Sequence, residues 1–554
     1  MPNFYRDNPD LVFQMRQVDW GAFVPALESG FQDPADTAPR SLAEAQETYE
    51  AVLELAGQIS AEVAAPAAAA NDAEGARLMD GRMIHAQGIQ RALAALKEAR
   101  LLAMGLPRRF GGWNLPATVT TAVLEMVSRA DAALHSIVGA QEFANVVNEF
   151  GSEALKQRVL PRVAEGSVGV SMVLTEPDAG SDLSGVQCRA TLDPAGRWSL
   201  NGTKNFATNG GAEILIVLAR SEPGSTDTKG LSLFVVERGP QVKLLKLEEK
   251  MGIHASPTCL LAFEDAPASL VGERGKGLHP YMLRLMFEAR LSVASQSVGV
   301  AQAAYEEALK YARVRQQFKR PLIRFHPIAD KLVRMSVELQ AVRALLYDTA
   351  QSVDRRSALR AVGGEAFAAA DRQADLLTPL LKYWASEMAN RVASEAVQIH
   401  GGYGYIREYP VERLYRDARI LPLYEGTSEI QVGTIIQPIL AGGLGTILDA
   451  LASRVPEGPM KQALAEGRTL LDASIAALAA RDDKRITQLY ARHVVDSATE
   501  ILGGLLLCAQ GARSERKALA AAVWIRERLP RIRMRTELVR DCDTTVIERP
   551  EALL

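Results

Sequence analysis

From Ser41 to about residue 160, apolar positions recur at helical spacing, as in Ala51, Leu53, Leu55 and Ile59, within an Ala- and Leu-rich text. The segment Gly105–Pro116 breaks this pattern, because two prolines and a glycine pair cannot lie in one helix. Between about 168 and 275 the texture changes to short β-rich runs separated by turn residues: Val168–Leu174, Trp198–Gly202, Ile214–Ala219, Leu231–Val236, Val242–Leu247 and Cys259–Phe263. That spacing predicts a small β-barrel or sandwich. From Leu278 the helical period returns and runs to about 440, with breaks at Pro321, Pro327, Gly363–Gly364, Gly401–Gly402 and Pro410, which predicts a helical bundle. After the Gly-rich joint Ala441–Gly445 the chain is helical in pattern again. Residues 1–40, interrupted by Pro25, Pro34 and Pro39, read as an arm lying on another part of the protein.

The expected fold is therefore α+β and multi-domain: an N-terminal arm (1–40), an N-terminal helical domain (41–167), a middle β-barrel-like domain (168–277), a C-terminal helical bundle (278–440) and a further helical extension (445–554). The order is not the βαβ rhythm of a dinucleotide-binding sheet, and no G-x-G-x-x-G opens a helix after a strand.

Composition narrows the function classes. A chain of 554 residues, 48% hydrophobic, is long enough for several cores and a large cofactor. A formal net charge of -3 gives no global attraction to nucleic acid or to an anionic membrane. Cys188, Cys259, Cys508 and Cys542 stand far apart without a C-x-x-C pair, and the 7 histidines form no ligand cluster, so no metal site is expected. The longest strongly apolar stretch, Ile501–Ala509, is too short to cross a bilayer, and the start lacks a basic segment followed by an apolar core. A cytoplasmic location without membrane contact is the expectation.

Three segments carry candidate chemistry. Met172–Asp182 runs from a strand into a loop of small and hydroxyl residues, whose amides and hydroxyls suit a phosphate or the polar edge of a heterocycle. Asn201–Gly211 places two turn signals around a strand that would set Phe206 and Thr208 against a planar ligand. Gln398–Gln431 contains Gln-Ile-His-Gly-Gly-Tyr-Gly and Tyr-Glu-Gly-Thr-Ser-Glu-Ile-Gln. With Arg315-Gln-Gln-Phe318, these segments closely resemble the acyl-CoA dehydrogenase family over roughly residues 95–440, in the patterns T-E-P-x-A-G-S-D, N-G-x-K-x-x-x-T-N-G-G, R-x-x-F, Q-x-x-G-G-x-G and Y-E-G-T-S-x-I-Q. The arm, an insertion around Asp354–Thr378 and the extension resemble the larger subgroup that contains methylmercaptopropionyl-CoA dehydrogenases.

The resemblance implies FAD held between a β-domain and a four-helix C-terminal bundle. It places Leu174, Thr175 and Ser181 along the isoalloxazine and pyrophosphate, and Phe206 and Thr208 beside the ring. Arg315, Gln317 and Phe318 would reach the FAD of a neighbouring subunit, and Gln398, Gly401 and Gly402 would support its adenosine half, which implies a homodimer or homotetramer. Thr427 and Glu429 are assigned to the cofactor as well, and Ser181, Arg290, Tyr424 and Gly426 to the acyl-CoA substrate. Glu425 occupies the position of the base. Relatives that carry the base elsewhere keep it just before the position of Arg290, which here is Ala289. Phe206 stands where many members have Trp, Lys319 where Gly is usual, and Phe287 where an acid often holds the CoA arm.

A carboxylate is needed because an α-proton beside a thioester is too weakly acidic for water to remove; a positioned base, acting as hydride leaves Cβ for flavin N5, makes the step feasible. The Glu425 N–H would donate to the thioester carbonyl, and Gly426 would let it approach. An electron-transferring flavoprotein is the expected acceptor. Two other readings share the fold: an oxygen-using oxidase, and a DNA-binding flavoprotein using the basic run Arg513–Arg540.

Overall fold

The computed structural model describes residues 1–481 and 483–554. They form two compact units, Met1–Ala303 with Ile406–Ile420, and Ala304–Tyr405 with Leu421–Leu554.

In the first unit, Ser41 caps helix α1 (Leu42–Ile59) by accepting from the Glu44 N–H. The N-terminal arm lies along α1: Asn3 Nδ2 donates to the Glu54 carbonyl at 2.9 Å and the Tyr5 hydroxyl donates to Glu50 at 2.8 Å. Gly57 permits this, since a Cβ there would stand 2.7 Å from the Tyr5 nitrogen. A hairpin, Arg77–Met79 with Arg82–Ile84, interrupts the expected run of helices. Its turn is Asp80-Gly81, both at positive φ, the pairing such two-residue turns favour. Helices α2 (Ala117–Ala130) and α3 (Ala132–Ala140) are buried almost all round, and Asp131 caps α3 through the Ala133 N–H at 2.8 Å.

The middle domain has seven strands: β1 (Val170–Val173), β2 (Arg189–Leu192), β3 (Trp198–Thr208), β4 (Ile214–Arg220), β5 (Leu231–Glu237), β6 (Val242–Leu247) and β7 (Thr258–Val271). Their order is β1-β4-β2-β3-β7-β5, with β6 on β7, and a β4–β5 pairing closes the sheet into a barrel. The uninterrupted apolar run of β4 is explained by burial on both faces. Leu215, Val217 and Ala219 join Leu200, Phe234 and Leu261 inside the barrel, while Ile214 and Ile216 pack with Val147, Val159 and Leu160. Strand β2 was not expected, because Arg189-Ala-Thr-Leu192 is short and half polar. Strand β3 joins the expected run Trp198–Gly202 and the strand expected within Asn201–Gly211 into one, with an irregularity between Leu200 and Gly202 in place of the first turn.

Helix α4 (Leu283–Val314) carries the chain into the second unit. There α5 (His326–Leu359) and α6 (Gly364–His400) start just at the expected breaks, with Pro327 in the first turn of α5 and Gly363 preceding α6 at positive φ. Helix α7 (Ser428–Leu440) follows, and the extension adds α8 (Pro459–Ala479), α9 (Lys484–Gly511) and α10 (Glu515–Asp541). Trp524 of α10 is buried 5.6 Å from the Trp384 ring of α6, and its Nε1 donates to the Glu500 carbonyl at 2.8 Å. Among the described residues no single helix is long and apolar enough to cross a membrane.

Helix Pro410–Ala418 belongs to the first unit. Arg416 pairs with Asp72 at 2.6 Å, and Asp417 accepts from the Ile253 N–H at 2.6 Å. Burial raises the Asp417 carboxyl from 3.8 to about 7, against the lowering effect of Arg413.

Trp524→Ala should lower stability by about 3–5 kcal/mol, read as a shift of the urea midpoint. Asp417 stays protonated in the folded chain to about pH 7 yet ionises near 3.8 when unfolded, so it takes stability away as pH rises through that window. Asp417→Asn should flatten that decline; unfolding titrations between pH 4 and 7 that superimpose on the parent would contradict it.

Candidate active site

The chain leaves β1 at Val173 and turns through Leu174 and Thr175. Two hydrogen bonds pin this turn to β3, Lys204 Nζ to the Leu174 carbonyl (2.8 Å) and the Asn205 N–H to the Thr175 carbonyl (2.8 Å), and two more tie β1 to the end of β3 and the residue after it, Ser171 Oγ to the Thr208 carbonyl (2.6 Å) and Asn209 Nδ2 to the Val170 carbonyl (3.1 Å). Leu174, Thr175, Phe206 and Thr208 thereby share one edge of the barrel. Phe206 is 60% exposed, and its φ of 55° is a conformation a bulky residue rarely adopts. Ser181 lies on the exposed loop that follows, between the Glu176–Ala179 bridge and Asp182, which accepts from the Ser184 N–H.

Two residues that the sequence motifs contain without marking as functional hold this edge. Lys204 is fully buried and meets Glu176 at 2.8 Å, while Glu176 also accepts from the Gln187 and Cys188 N–H groups at 2.7 and 3.0 Å. Burial pushes the Lys204 amine below its ordinary value, and Cys188 and Glu176 oppose it. The signal was present: both residues are fixed letters of the T-E-P and N-G-x-K patterns.

On α4, Arg290 is buried with its guanidinium 5.2 Å from the Phe287 ring. In the same unit Glu142 is raised to about 7 by burial, against the Gly105 N–H, with Glu288 raising it further. No local pattern marks Glu142 in the sequence.

In the second unit the Arg315 and Gln398 segments converge. Arg315 lies 5.5 Å from the Tyr403 ring, and Tyr311 stacks on His400 at 4.2 Å. Gln317 sits in a small hairpin with Arg320, and Phe318 at its tip is 88% exposed with φ 48°. Gln398 is exposed at the end of α6, and a Cβ on Gly401 or Gly402 would meet open space.

Glu425 and Gly426 follow Tyr424 in a turn where both adopt positive φ, 54° and 88°. For Glu425 this costs about 1–2 kcal/mol. Gln431 Nε2 donates to the carbonyls of Glu425 and Gly426 at 2.9 and 3.0 Å, and the buried Lys382 Nζ donates to the Gly426 carbonyl at 2.6 Å. Gly426 is demanded by this turn as well as by any ligand, since a Cβ there would stand 2.5 Å from Gln431 Nε2. Thr427 caps α7 by accepting from the Ile430 N–H at 3.3 Å. Glu429 is held below its ordinary value by the backbone N–H at its own position and by the Thr427 hydroxyl, with Arg492 and Lys382 adding to this. Ser428 and Glu429 also line a cavity of about 1230 Å³ with Gln437, Thr487 and Arg492. Lys382 stands 44 residues before Gly426, too far for any local pattern to link them.

Part of the basic run of α10 is paired with acids of other helices. Arg535 meets Glu500 at 2.6 Å, Arg528 meets Glu500 at 3.4 Å and Glu338 at 3.6 Å, and Arg533 meets Glu466 at 2.7 Å. This weighs against a uniform cationic face. Among the described residues no group of three or more His, Cys, Asp or Glu is placed to hold a metal ion.

Three family models match the chain: the acyl-CoA dehydrogenase N-terminal domain at residues 46–167, the middle domain at 171–266 and the C-terminal domain at 275–440. The chain is 35% identical over 457 residues to 3-methylmercaptopropionyl-CoA dehydrogenase of Ruegeria pomeroyi, covering 77% of this chain and 74% of that protein. It is 36% identical over 286 residues to the caffeyl-CoA reductase-Etf complex subunit CarC of Acetobacterium woodii, covering 51% of this chain and 71% of that one. The structure of an acyl-CoA dehydrogenase complexed with FAD from Bacillus anthracis superposes with a TM-score of 0.78 at 26% identity, over 89% of this chain and 88% of that chain.

Removing one partner of a buried ion pair strands the other charge. Lys204→Met should therefore cost about 3–5 kcal/mol in urea unfolding; a loss below about 1 kcal/mol, the size of an exposed pair, would show that the Lys204–Glu176 contact does not hold the edge.

Proposed function

The chain belongs to the acyl-CoA dehydrogenase family, FAD-dependent oxidoreductases acting on the CH–CH bond of acyl-CoA thioesters, and from that premise we propose that Glu425 removes the α-proton and that the product is the trans-2-enoyl thioester. The observation that carries this is the turn itself. A carboxylate-bearing residue at positive φ is held in a strained turn by two buried side chains, Gln431 and Lys382, that take its own and its neighbour's carbonyl, and its side chain is half-buried.

The barrel edge fits a flavin. An aromatic ring is displayed to open space beside Thr175 and Thr208, and the backbone there is fixed by a buried ion pair, as a planar ligand requires. Leu174, Thr175, Ser181, Phe206 and Thr208 would hold the ring and pyrophosphate, with Thr427 and Glu429. When bound, FAD supplies the acceptor for the hydride that leaves Cβ. The chain's own residues do the rest: Glu425 takes the proton, its N–H donates to the thioester carbonyl as negative charge develops, and Arg290, Tyr424, Gly426 and Ser181 orient the thioester. The exposed Arg315–Phe318 hairpin and Gln398, Gly401 and Gly402 would meet the cofactor of a second copy. The exposure of Phe318 and Tyr405, each 88%, supports that assembly. Reoxidation by an electron-transferring flavoprotein is supported by the Etf-complex relative.

The test is a panel of short straight, branched, aromatic and sulfur-bearing acyl-CoA thioesters, scored anaerobically by bleaching of the yellow flavin. The wild-type protein should be bleached by at least one class. Glu425→Gln should retain the yellow flavin and bleach with none, a loss of at least about 100-fold, as expected when a general base is removed. Bleaching retained in that variant would overturn the assignment.

A further inference from the structure

Residues 445–554 add α8, α9 and α10 to the second unit, and α9 packs against α7, the helix that follows the turn carrying Glu425. Ser428, the residue that starts α7, donates through Oγ to Glu387 Oε1 at 2.6 Å. The other oxygen of Glu387 meets Arg492 Nη2 of α9 at 3.1 Å. One turn along, the Tyr383 hydroxyl donates to Asp496 Oδ1 at 2.6 Å, and the Arg492 guanidinium lies 5.4 Å from the Tyr383 ring. Tyr383 and Glu387 are thus four apart on α6, and Arg492 and Asp496 four apart on α9, so two helical faces meet in matched register. Behind them Asp496 meets Arg535 at 3.5 Å and Arg535 meets Glu500 at 2.6 Å, which ties the pairing to α10.

Lys382, beside Tyr383, takes the Gly426 carbonyl. The turn of α6 from Lys382 to Glu387 therefore grips the Glu425–Ser428 segment at two points, and α9 sets the side chain at one of them. Burial separates the roles. Lys382 and Ser428 are buried, whereas Arg492 is half-exposed, and a half-exposed ion pair adds little to stability. A displacement of about 1 Å in a catalytic group, by contrast, can cost on the order of a hundredfold in rate. An arginine placed where it contributes little to stability, yet fixes the hydrogen bond that anchors the base-bearing turn, has its main consequence in geometry.

We infer that Arg492 is a positioning residue: through Glu387 and Ser428 the C-terminal extension sets the pose of the Glu425–Gly426 turn. The inference rests on Glu425 being the base. It gives the extension a part in the reaction beyond that of a packing element, and it predicts that a chain cut before α9 would lose rate as well as stability.

The test uses the full-length, FAD-loaded enzyme and a thioester that bleaches it. Arg492→Met, Arg492→Lys, Ser428→Ala and the Arg492→Met/Ser428→Ala double variant are compared in anaerobic single-turnover flavin reduction, with protiated and α-deuterated thioester. Arg492→Met should reduce roughly tenfold more slowly, with half-saturation within about twofold and a larger α-deuterium isotope effect. Arg492→Lys should recover most of the rate. The double variant should be no slower than the slower single variant, because both act on one chain of contacts. A wild-type rate in Arg492→Met, a change in half-saturation alone, or losses that multiply in the double variant would overturn the inference. Ser428→Ala removes one oxygen atom and keeps the question answerable if an Arg492 variant fails to fold. Glu425→Gln is run alongside: bleaching there refutes the base itself, whereas a silent Glu425→Gln with an undisturbed Arg492→Met refutes the positioning role alone.

Discussion

The proposed chemistry depends on two consecutive residues held in a left-handed backbone conformation. Glu425 and Gly426 can keep it because their carbonyls are taken by Gln431 from within α7 and, at Gly426, by Lys382 from α6. A glutamate in this region of backbone space is strained by about 1–2 kcal/mol. Charge-assisted hydrogen bonds from a buried amine are strong enough to offset that cost. The arrangement explains why Tyr-Glu-Gly-Thr-Ser-Glu-Ile-Gln is a single unit: Gly426 makes room for Gln431, Thr427 starts α7, Ser428 reaches Glu387, and Gln431 closes back on Glu425.

A parallel logic holds the barrel edge. Lys204 and Glu176 are buried together and tie the Leu174–Thr175 turn to β3, so that an apolar ring, Phe206, stays displayed at the surface. Both sites place a bulky or charged residue at positive φ and brace it with a buried lysine. Strain of this kind persists only where the surroundings over-determine it, and both turns lie within segments that the family patterns cover.

Much of this was legible in the sequence. The run Ile214–Ala219 reads as a strand and is one, its unbroken apolar text explained by burial on both faces, and Pro327, Gly363 and Gly401 stand where helices begin or end. The family resemblance groups Leu174, Thr175, Ser181, Phe206 and Thr208 around one ligand, and in the structure hydrogen bonds join the Leu174–Thr175 turn to the strand that carries Phe206 and Thr208. What escaped was set by distant partners. Lys204 reads as a surface lysine until Glu176 is seen beside it, Arg416 meets Asp72 across 344 residues, and Lys382 has no local pattern linking it to Gly426. The strand Arg189–Leu192 was missed because four residues, half of them polar, carry too little periodic signal until barrel closure pairs them. The arginines of α10 looked like one basic face because their acids lie on other helices.

The central claim is that Glu425 moves a proton at the α-carbon. The most direct measurement is deuterium uptake from D2O into a thioester that has α-hydrogens and none on Cβ, such as phenylacetyl-CoA, followed by NMR with the FAD-loaded enzyme. Such a ligand cannot be dehydrogenated, so exchange reports the base alone. The account predicts exchange by the wild-type protein and none above background by Glu425→Gln. Equal exchange by both would contradict it.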